Sequence, residues 1–385
     1  MTIPISRAPD LAARDRLSAL ERAKRQPLML GLFLPIQNGG WTPSTAPRDT
    51  DWTFDYNARL IVQAEEAGFD LAFGLAQWLG AHGHGGATQY RRDTIDPLLV
   101  TAGAAALTRN IILISTVHVL YGWHPLHLAK FGATLDHMTQ GRWGLNLVTG
   151  YRPNEIDMFG LDAIPHDERY VRAAEFTEMM EALWRSEENV TIRGDHWSLK
   201  DAFVSPKPVH GRPILVNAGS SDAGLEYAAK YSDLIFITSP GGADIGAALE
   251  SLPAHTARIG DLAARHGREV RAIINPHVIC RDTEGEVETI RRAILDGEDA
   301  PAVDSLVGSM RRGDQASGRG HERNQRIIGG NVQIFGTPER VVEQFLALKK
   351  AGCDGVQINF FDFAPDLAYF AENVIPLMKR AGLRS

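Results

Sequence analysis

The feature that most constrains this chain is a regular alternation of short runs rich in β-forming residues with longer runs of helical periodicity. The short runs predict parallel strands, and the amphipathic runs between them predict crossover helices. The eight predicted strands lie at 28–34, 70–75, 111–117, 143–148, 214–217, 234–238, 273–279 and 355–359. This number of strands, with helices between them, favours an α/β fold of the (β/α)8 TIM-barrel class over an open sheet.

The length of 385 residues suits one such barrel with insertions. We predict a polar N-terminal extension at 1–27 and a single barrel domain at 28–385. Periodicity is weak between 297 and 330, and a structureless stretch of that length inside a compact domain is usually functional or disordered. We interpret 297–330 as a mobile lid over the barrel mouth, with an inert linker as the alternative.

Charge and composition disfavour several classes of partner. The formal net charge is -7, whereas binding to nucleic acid calls for a clustered basic face. No apolar run reaches membrane-spanning length, and the first 27 residues do not resemble a secretory signal. The chain has 2 cysteines without a C-x-x-C pair and 13 histidines without ligand spacing, so no metal centre is predicted and a cytoplasmic location is favoured.

Polar residues stand at the ends of two predicted strands, where β/α barrels carry their chemistry. Thr116 and Asn146 each follow apolar strand residues. An inward hydroxyl and amide at these positions would hydrogen-bond the edge of a ring cofactor or a bound oxygen species. Taken singly, each residue is also explained as a cap for backbone groups at a strand end.

The segment NAGSSD at 217–222 joins a predicted strand to a predicted helix. Ser220 and Ser221 would lie at the helix N-terminus, where backbone N–H groups and the helix dipole favour a phosphate. An ordinary helix cap explains the same residues equally well. The segment HDERY at 166–170 opens a long predicted helix, and its Arg169 and Tyr170 would reach an anionic or ring-bearing cofactor, with a surface ion pair as the alternative.

Two more candidates belong to the last predicted strands. His277 would carry protons near neutral pH, unless it is a satisfied core histidine. Phe361 belongs to a group of phenylalanines after the last strand, which either packs the barrel or shields the site from water.

Five segments together resemble a known family. They are LFLPI at 32–36, ATLDHMTQGRWGLNLVTG at 133–150, HDERY at 166–170, AGSSD at 218–222 and FGTP at 335–338. From 30 to 378 the chain resembles the bacterial luciferase-like flavin-dependent monooxygenases, and within them the branch of pyrimidine oxygenase, dimethylsulfone monooxygenase and dibenzothiophene-sulfone monooxygenase. The resemblance implies a barrel that binds FMN as FMNH2, takes O2 as co-substrate and oxygenates or cleaves a small organic molecule.

The resemblance also implies roles for individual residues. Those that would hold FMN are Ala76, Gln77, Asn146, Glu155, Arg169, Tyr170 and Ser221. Thr116 and Asn146 would stand beside the flavin edge where oxygen binds, a pair that the branch associates with a flavin-N5-oxygen adduct in place of a C4a adduct. Tyr151 occupies the position of a tryptophan near the substrate in pyrimidine oxygenase.

Two departures from the alkanesulfonate relatives bear on the substrate. Asn275 stands where those relatives have an arginine and Phe361 where they have a tyrosine, although their nearby histidine is matched by His277. Because a buried anion needs a paired charge, a neutral sulfone, heterocycle or amide-like substrate is favoured over a sulfonate, unless Arg312 or Arg326 supplies the cation.

The resemblance further implies a separate NAD(P)H-dependent flavin reductase and a homodimer or homotetramer. Three alternatives stay open, because one fold carries many functions. They are a deazaflavin-dependent oxidoreductase with a related barrel, a flavin-free barrel isomerase or aldolase, and a non-catalytic flavin-binding protein.

Overall fold

The chain folds around a closed barrel of parallel strands. The computed structural model describes residues 17–150, 152–312 and 323–385. The strands are β1 (Met29–Phe33), β2 (Leu71–Gly74), β3 (Ile112–His118), β4 (Trp143–Val148), β5 (Val190–Arg193), β6 (Ser198–Ala202), β7 (Ile214–Asn217), β8 (Leu234–Ile237), β9 (Arg271–Ile274), β10 (Pro276–Cys280), β11 (Val332–Gly336) and β12 (Gly355–Ile358). The helices are α1 (Ala19–Lys24), α2 (Phe54–Glu66), α3 (Pro97–Ala105), α4 (Pro125–Met138), α5 (Pro153–Met158), α6 (His166–Arg185), α7 (Asp222–Tyr231), α8 (Ile245–Arg265), α9 (Glu284–Asp296), α10 (Ala300–Arg312), α11 (Arg323–Ile327), α12 (Pro338–Lys350), α13 (Phe363–Asn373) and α14 (Ile375–Arg380).

The barrel strands follow the order β1, β2, β3, β4, β7, β8, β9 and β12, and β12 pairs back to β1. Neighbouring strands are parallel throughout. The strands β1, β2, β7 and β8 are wholly buried, as expected of parallel strands covered on both faces. The predicted (β/α)8 fold class is therefore confirmed.

The outer helices α4 and α6 pack closely together against the barrel. Phe176, Met180 and Leu183 lie at helical spacing on α6 and are fully buried. Gly132 of α4 faces the ring of Trp143, and a Cβ at that glycine would lie 2.6 Å from the ring. The same Cβ would lie 3.3 Å from Trp184 of α6, so α4 and α6 pack closely at this point.

The predicted strand at 273–279 is two strands in the structure. The first part, β9, belongs to the barrel, whereas β10 pairs with β11 in a separate two-stranded parallel sheet. The chain changes partner at Pro276, which has no backbone N–H to continue a ladder. The prediction that His277 lies on a barrel strand is therefore wrong, because His277 pairs with Gln333 in the outer sheet.

The prediction of little regular structure between 297 and 330 is also wrong for the part described. Residues 300–312 form α10 and residues 323–327 form α11, while 313–322 lie outside the described residues. Ala302, Val303 and Leu306 are buried at helical spacing. Pro301 and Gly308 obscure this pattern in the sequence, but a proline in the first turn of a helix is tolerated.

Several further elements were not predicted, among them the helix α5 and the strand β11. The antiparallel hairpin β5–β6 follows α6. The short helix α1 lies within the predicted polar extension, and its Ala19 and Ala23 are buried in the main hydrophobic core. No helix in the described ranges combines the length and the apolar character needed to cross a membrane.

Candidate active site

A cleft opens where β2, β3, β4 and β7 end. The described residues that line it are Leu75, Ala76, Gln77, His118, Asn146, Val148, Thr149, Gly150, Arg152, Glu155, His166, Arg169, Tyr170, Asn217, Ala218, Gly219, Ser220 and Ser221. This lining includes every residue for which we predicted a cofactor contact except Thr116. Barrel enzymes carry their chemistry at the carboxyl ends of the strands, so we take the cleft as the candidate active site.

Thr116 and Asn146 form a hydrogen-bonded pair at the floor of the cleft. They are directly opposite each other in the register of β3 and β4, and Asn146 Nδ2 donates to Thr116 Oγ1 over 2.9 Å. Both side chains are buried, and of the two only Asn146 lines the cleft. Within the described ranges Asn146 Oδ1 has no hydrogen-bond partner, so the amide presents an unused acceptor.

The turn between β7 and α7 is held by Asn217. Its Nδ2 donates to the carbonyl of Leu147 over 2.8 Å, and its Oδ1 accepts from the backbone N–H of Gly219 over 2.7 Å. Ser221 is the N-cap of α7, and its Oγ accepts from the N–H of Gly224 over 3.1 Å. The remaining N–H groups of the helix N-terminus lie beside the cleft, where they favour an anion such as a phosphate.

Arg169 and Tyr170 enter the cleft from the first turn of α6, which begins at His166 as the HDERY segment predicts. Arg169 Nη1 donates to the carbonyl of Gly150 over 2.5 Å. The Tyr170 hydroxyl is hydrogen-bonded to the side chain of Ser221, and burial raises the pKa of Tyr170. The phenol therefore stays protonated at neutral pH, and α6 is tied to the turn at the opposite wall of the cleft.

Glu155 is the buried anion of the cleft. It accepts hydrogen bonds from Arg152 Nη1 and from the Tyr121 hydroxyl, each over 3.1 Å. Burial raises the pKa of Glu155, and the charge of Arg152 acts in the opposite direction. His118 Nε2 lies 4.0 Å from the carboxylate, and burial lowers the pKa of His118 to about 3. The imidazole is therefore neutral at pH 7, and the Glu155–Arg152 pair leaves this wall with little net charge.

Sequence reasoning did not assign His118 or Arg152 to the site. The signal for His118 was its position two residues after Thr116, because residues i and i+2 of a strand lie on the same face. Arg152 gave no comparable signal. It precedes Pro153 at the start of α5, and only the fold shows that it faces Glu155 at i+3.

The remaining candidates lie outside the lining. His277 is buried, its Nδ1 contacts Asn359 Oδ1, and burial lowers the pKa of His277 to about 4. Phe361 packs in a second hydrophobic cluster with Ile327 and Ile328, with the guanidinium of Arg48 4.8 Å from its ring centroid. Tyr151 lies outside the described residues.

Comparisons with known proteins agree with this geometry. A family model described as luciferase-like monooxygenase matches residues 29–355. The FMNH(2)-dependent dimethylsulfone monooxygenase of Pseudomonas fluorescens is 32% identical over 365 residues, which cover 92% of this chain and 95% of the relative. Pyrimidine monooxygenase RutA of Acinetobacter baylyi is 28% identical over 369 residues, covering 91% and 95%. The crystal structure of DmoA from Hyphomicrobium sulfonivorans matches with a TM-score of 0.81 at 18% identity, covering 94% of this chain and 90% of that one, which supports the fold.

A parallel barrel with a polar cleft at the carboxyl ends of its strands defines an enzyme of the β/α-barrel class. The chain belongs to the luciferase-like monooxygenase family. The family predicted from the sequence segments is thereby confirmed, together with its enzyme class.

Proposed function

We propose that this chain is a monooxygenase that receives FMNH2 from a separate NAD(P)H-dependent reductase and uses O2 on a small organic substrate. The observation that carries the proposal is the cleft itself, where the N-terminus of α7 and two incompletely hydrogen-bonded buried amides, Gln77 and Asn146, line one space. The names of the dimethylsulfone and pyrimidine relatives support the choice of cofactor and reaction.

The residues of the cleft fit FMN by their chemistry. Ser220, Ser221 and the backbone N–H groups of α7 suit a phosphate. Asn146 Oδ1 is an acceptor and Gln77 Nε2 a donor, and each is buried without a partner in the described ranges. A heterocycle that carries both N–H and C=O groups would satisfy both amides. A deazaflavin has similar edge groups, so the oxygen experiment below separates the two cofactors.

When bound, FMNH2 would supply the two electrons that activate O2. The chain's own contribution is to bind and orient. Thr116 and Asn146 hold the oxygen at the floor of the cleft, and Arg169 with Tyr170 holds the cofactor from the α6 side. His277 serves as the acid or base, and Phe361 belongs to the apolar wall that keeps water out.

We propose a neutral substrate, such as a sulfone, a heterocycle or an amide-like compound, in preference to a sulfonate. Supporting this, Asn275 is a half-buried neutral amide whose buried Oδ1 has no partner within the described part of the chain. Arg326 is buried, which disfavours its use as a freely placed cation. Tyr151 and Phe361 are the proposed substrate contacts.

We propose that the described parts of 297–330 act as a lid that protects the reacting centre. Asp299 supports this role, because its Oδ2 accepts from both the N–H and the hydroxyl of Thr88, over 2.7 and 2.6 Å. Its own N–H donates to the carbonyl of Pro43 over 3.1 Å. These bonds attach the start of α10 to the loops that follow β1 and β2, and breaking them would open the barrel mouth.

We also propose a cytoplasmic homodimer or homotetramer. Cys280 and Cys353 are free and buried, in keeping with a reducing compartment. Leu99 on α3 and Leu107 just after it are 72% and 52% exposed, and we propose that they contribute to the surface that pairs with another subunit.

The decisive experiment is anaerobic titration with FMNH2, followed by a pulse of labelled O2 in the presence of candidate sulfones, pyrimidines and sulfonates. We expect measurable FMNH2 affinity, oxygen consumption and one labelled oxygen atom in the product by mass spectrometry. Absence of affinity for FMNH2 would overturn the proposal. Substrate turnover without oxygen consumption would favour the deazaflavin alternative, and binding without any turnover a non-catalytic flavoprotein.

Gly219→Ala is expected to weaken FMN binding about tenfold. The reason is that the turn at 217–222, which is proposed to bind the phosphate, has no room for a methyl group at this position. A Cβ at residue 219 would lie 2.8 Å from Gly224 Cα and 2.9 Å from the Tyr170 hydroxyl, so the turn would have to shift. Fluorescence titration measures the change. Gly260→Ala on α8 is the control, since a Cβ there meets nothing within 4 Å. Equal affinities of the two variants would contradict the phosphate role of this turn.

A further inference from the structure

The amide of Gln77 is held in one of its two orientations. Gln77 lines the cleft directly after β2 and is buried. Its Oε1 accepts a hydrogen bond from Arg91 Nη1 over 2.9 Å. Its Nε2 is buried and has no hydrogen-bond partner within the described ranges. A buried donor without a partner costs free energy, which a ligand with an acceptor would recover.

The orientation follows from the chemistry of the guanidinium group. Arginine carries only donors, so the amide must turn its oxygen toward Arg91 and its nitrogen away. The reverse orientation would place two sets of N–H groups against each other in a buried space. The polarity of Gln77 is thus set by its neighbour.

Arg91 is itself held firmly by the loop between β2 and α3. Its guanidinium lies 4.9 Å from the ring centroids of both Trp41 and Tyr90. Its backbone has a φ of 58°, in the left-handed region that a non-glycine residue adopts only at a cost, and its N–H donates to the carbonyl of Asn38 over 3.0 Å. Arg91 as a whole residue is only 6% exposed. The loop therefore fixes the guanidinium of Arg91 in one position, next to Gln77.

We propose that Arg91 is a positioning residue that makes Gln77 a hydrogen-bond donor toward the cleft, and that the ligand atom facing Gln77 is an acceptor. This inference rests on the proposed function: if the ligand is FMNH2, the acceptor is a carbonyl oxygen or an unprotonated nitrogen of the flavin's pyrimidine ring. Arg91 acts through Gln77 and does not contact the cofactor.

The test compares Gln77→Glu with Gln77→Met by anaerobic titration with FMNH2. Glutamate keeps the size of glutamine and still pairs with Arg91, but it presents an acceptor where the donor was. We expect Gln77→Met to weaken FMNH2 binding several-fold and Gln77→Glu to weaken it further, by about tenfold or more relative to wild type. A purely structural role predicts the opposite order, because glutamate preserves shape and strengthens the Arg91 contact. Gln63→Glu on α2 is the matched control outside the cleft.

A double-mutant cycle separates positioning from direct contact. Arg91→Met should weaken FMNH2 binding in the wild-type background and change it little in the Gln77→Met background, because the amide to be oriented is gone. Additive effects would overturn the role of Arg91, and wild-type affinity in Gln77→Glu would overturn that of Gln77. If the wild-type protein itself fails to bind FMNH2, the proposed function fails instead. Thermal unfolding of each variant verifies that it is folded.

Discussion

Replacing Asn146 with alanine is expected to lower substrate oxygenation by about 100-fold while weakening FMNH2 binding by less than about tenfold. The reason is the position of its amide, which donates to Thr116 and presents an unused buried acceptor at the floor of the cleft. Alanine removes both groups. It leaves the phosphate turn at Ser220 and Ser221 untouched, so most contacts that retain the cofactor remain. Rapid-mixing kinetics with oxygen and equilibrium titration measure the two effects separately.

Thr116→Val is the companion variant, because it keeps the shape of the side chain and removes the hydroxyl that accepts from Asn146. It should reduce oxygenation in the same direction. If Asn146→Ala loses cofactor binding and oxygenation to the same extent, Asn146 is an anchor for the cofactor and does not handle oxygen.

Mild acid is expected to destabilise the folded protein through three buried histidines. Burial lowers the pKa of His84 to about 3, of His118 to about 3 and of His277 to about 4. In the unfolded chain the pKa of a histidine is about 6.5. Between pH 6.5 and pH 4 these three histidines are therefore protonated in the unfolded chain but remain neutral in the folded protein. Stability is therefore lost as the pH falls through the unfolded pKa. From pH 7.5 to 5.5 each histidine lowers the free energy of unfolding by about 1 kcal/mol, so the three together lower it by roughly 3 to 4 kcal/mol.

Urea unfolding at pH 7.5, 6.5 and 5.5 measures this dependence. His118→Gln should remove about one third of it, whereas His82→Gln, at an exposed position, should leave it unchanged. Buried carboxyls such as Asp70 and Asp136 have raised pKa values and act in the opposite direction. A free energy of unfolding that is constant from pH 7.5 to 5.5 would contradict the neutral state of these rings.

The barrel could be predicted from the sequence because its information is local. Each barrel strand is a short apolar run next to a helix with a recognisable start, as at Asp96–Pro97 before α3 and Thr337–Pro338 before α12. The split between β9 and β10 could not be predicted in the same way. Both halves are apolar, and the choice of partner for β10 depends on β11, which lies more than fifty residues later in the chain.

The site residues that belong to sequence motifs could be predicted. Those whose role depends on tertiary contacts could not. Arg169, Tyr170, Ser220 and Ser221 occur in segments with family patterns, and the structure places all of them around one cleft. Arg91 lies in a glycine-rich loop without periodicity, and its relation to Gln77 depends on backbone angles that the sequence does not reveal.

The two hydrogen bonds of Asn217 join Leu147, near the end of β4, to the turn at 217–222 that is proposed to bind the phosphate. The half of the barrel mouth that is proposed to hold the cofactor is therefore braced by these bonds, so a structural change at the end of β4 is expected to affect the turn after β7. The opposite half, formed by the loops after β1 and β12, has no part in that brace. Directed-evolution libraries for new substrates should therefore diversify 360–363 and keep Trp41, which packs against Arg91, so that altered selectivity can be gained without eroding flavin retention.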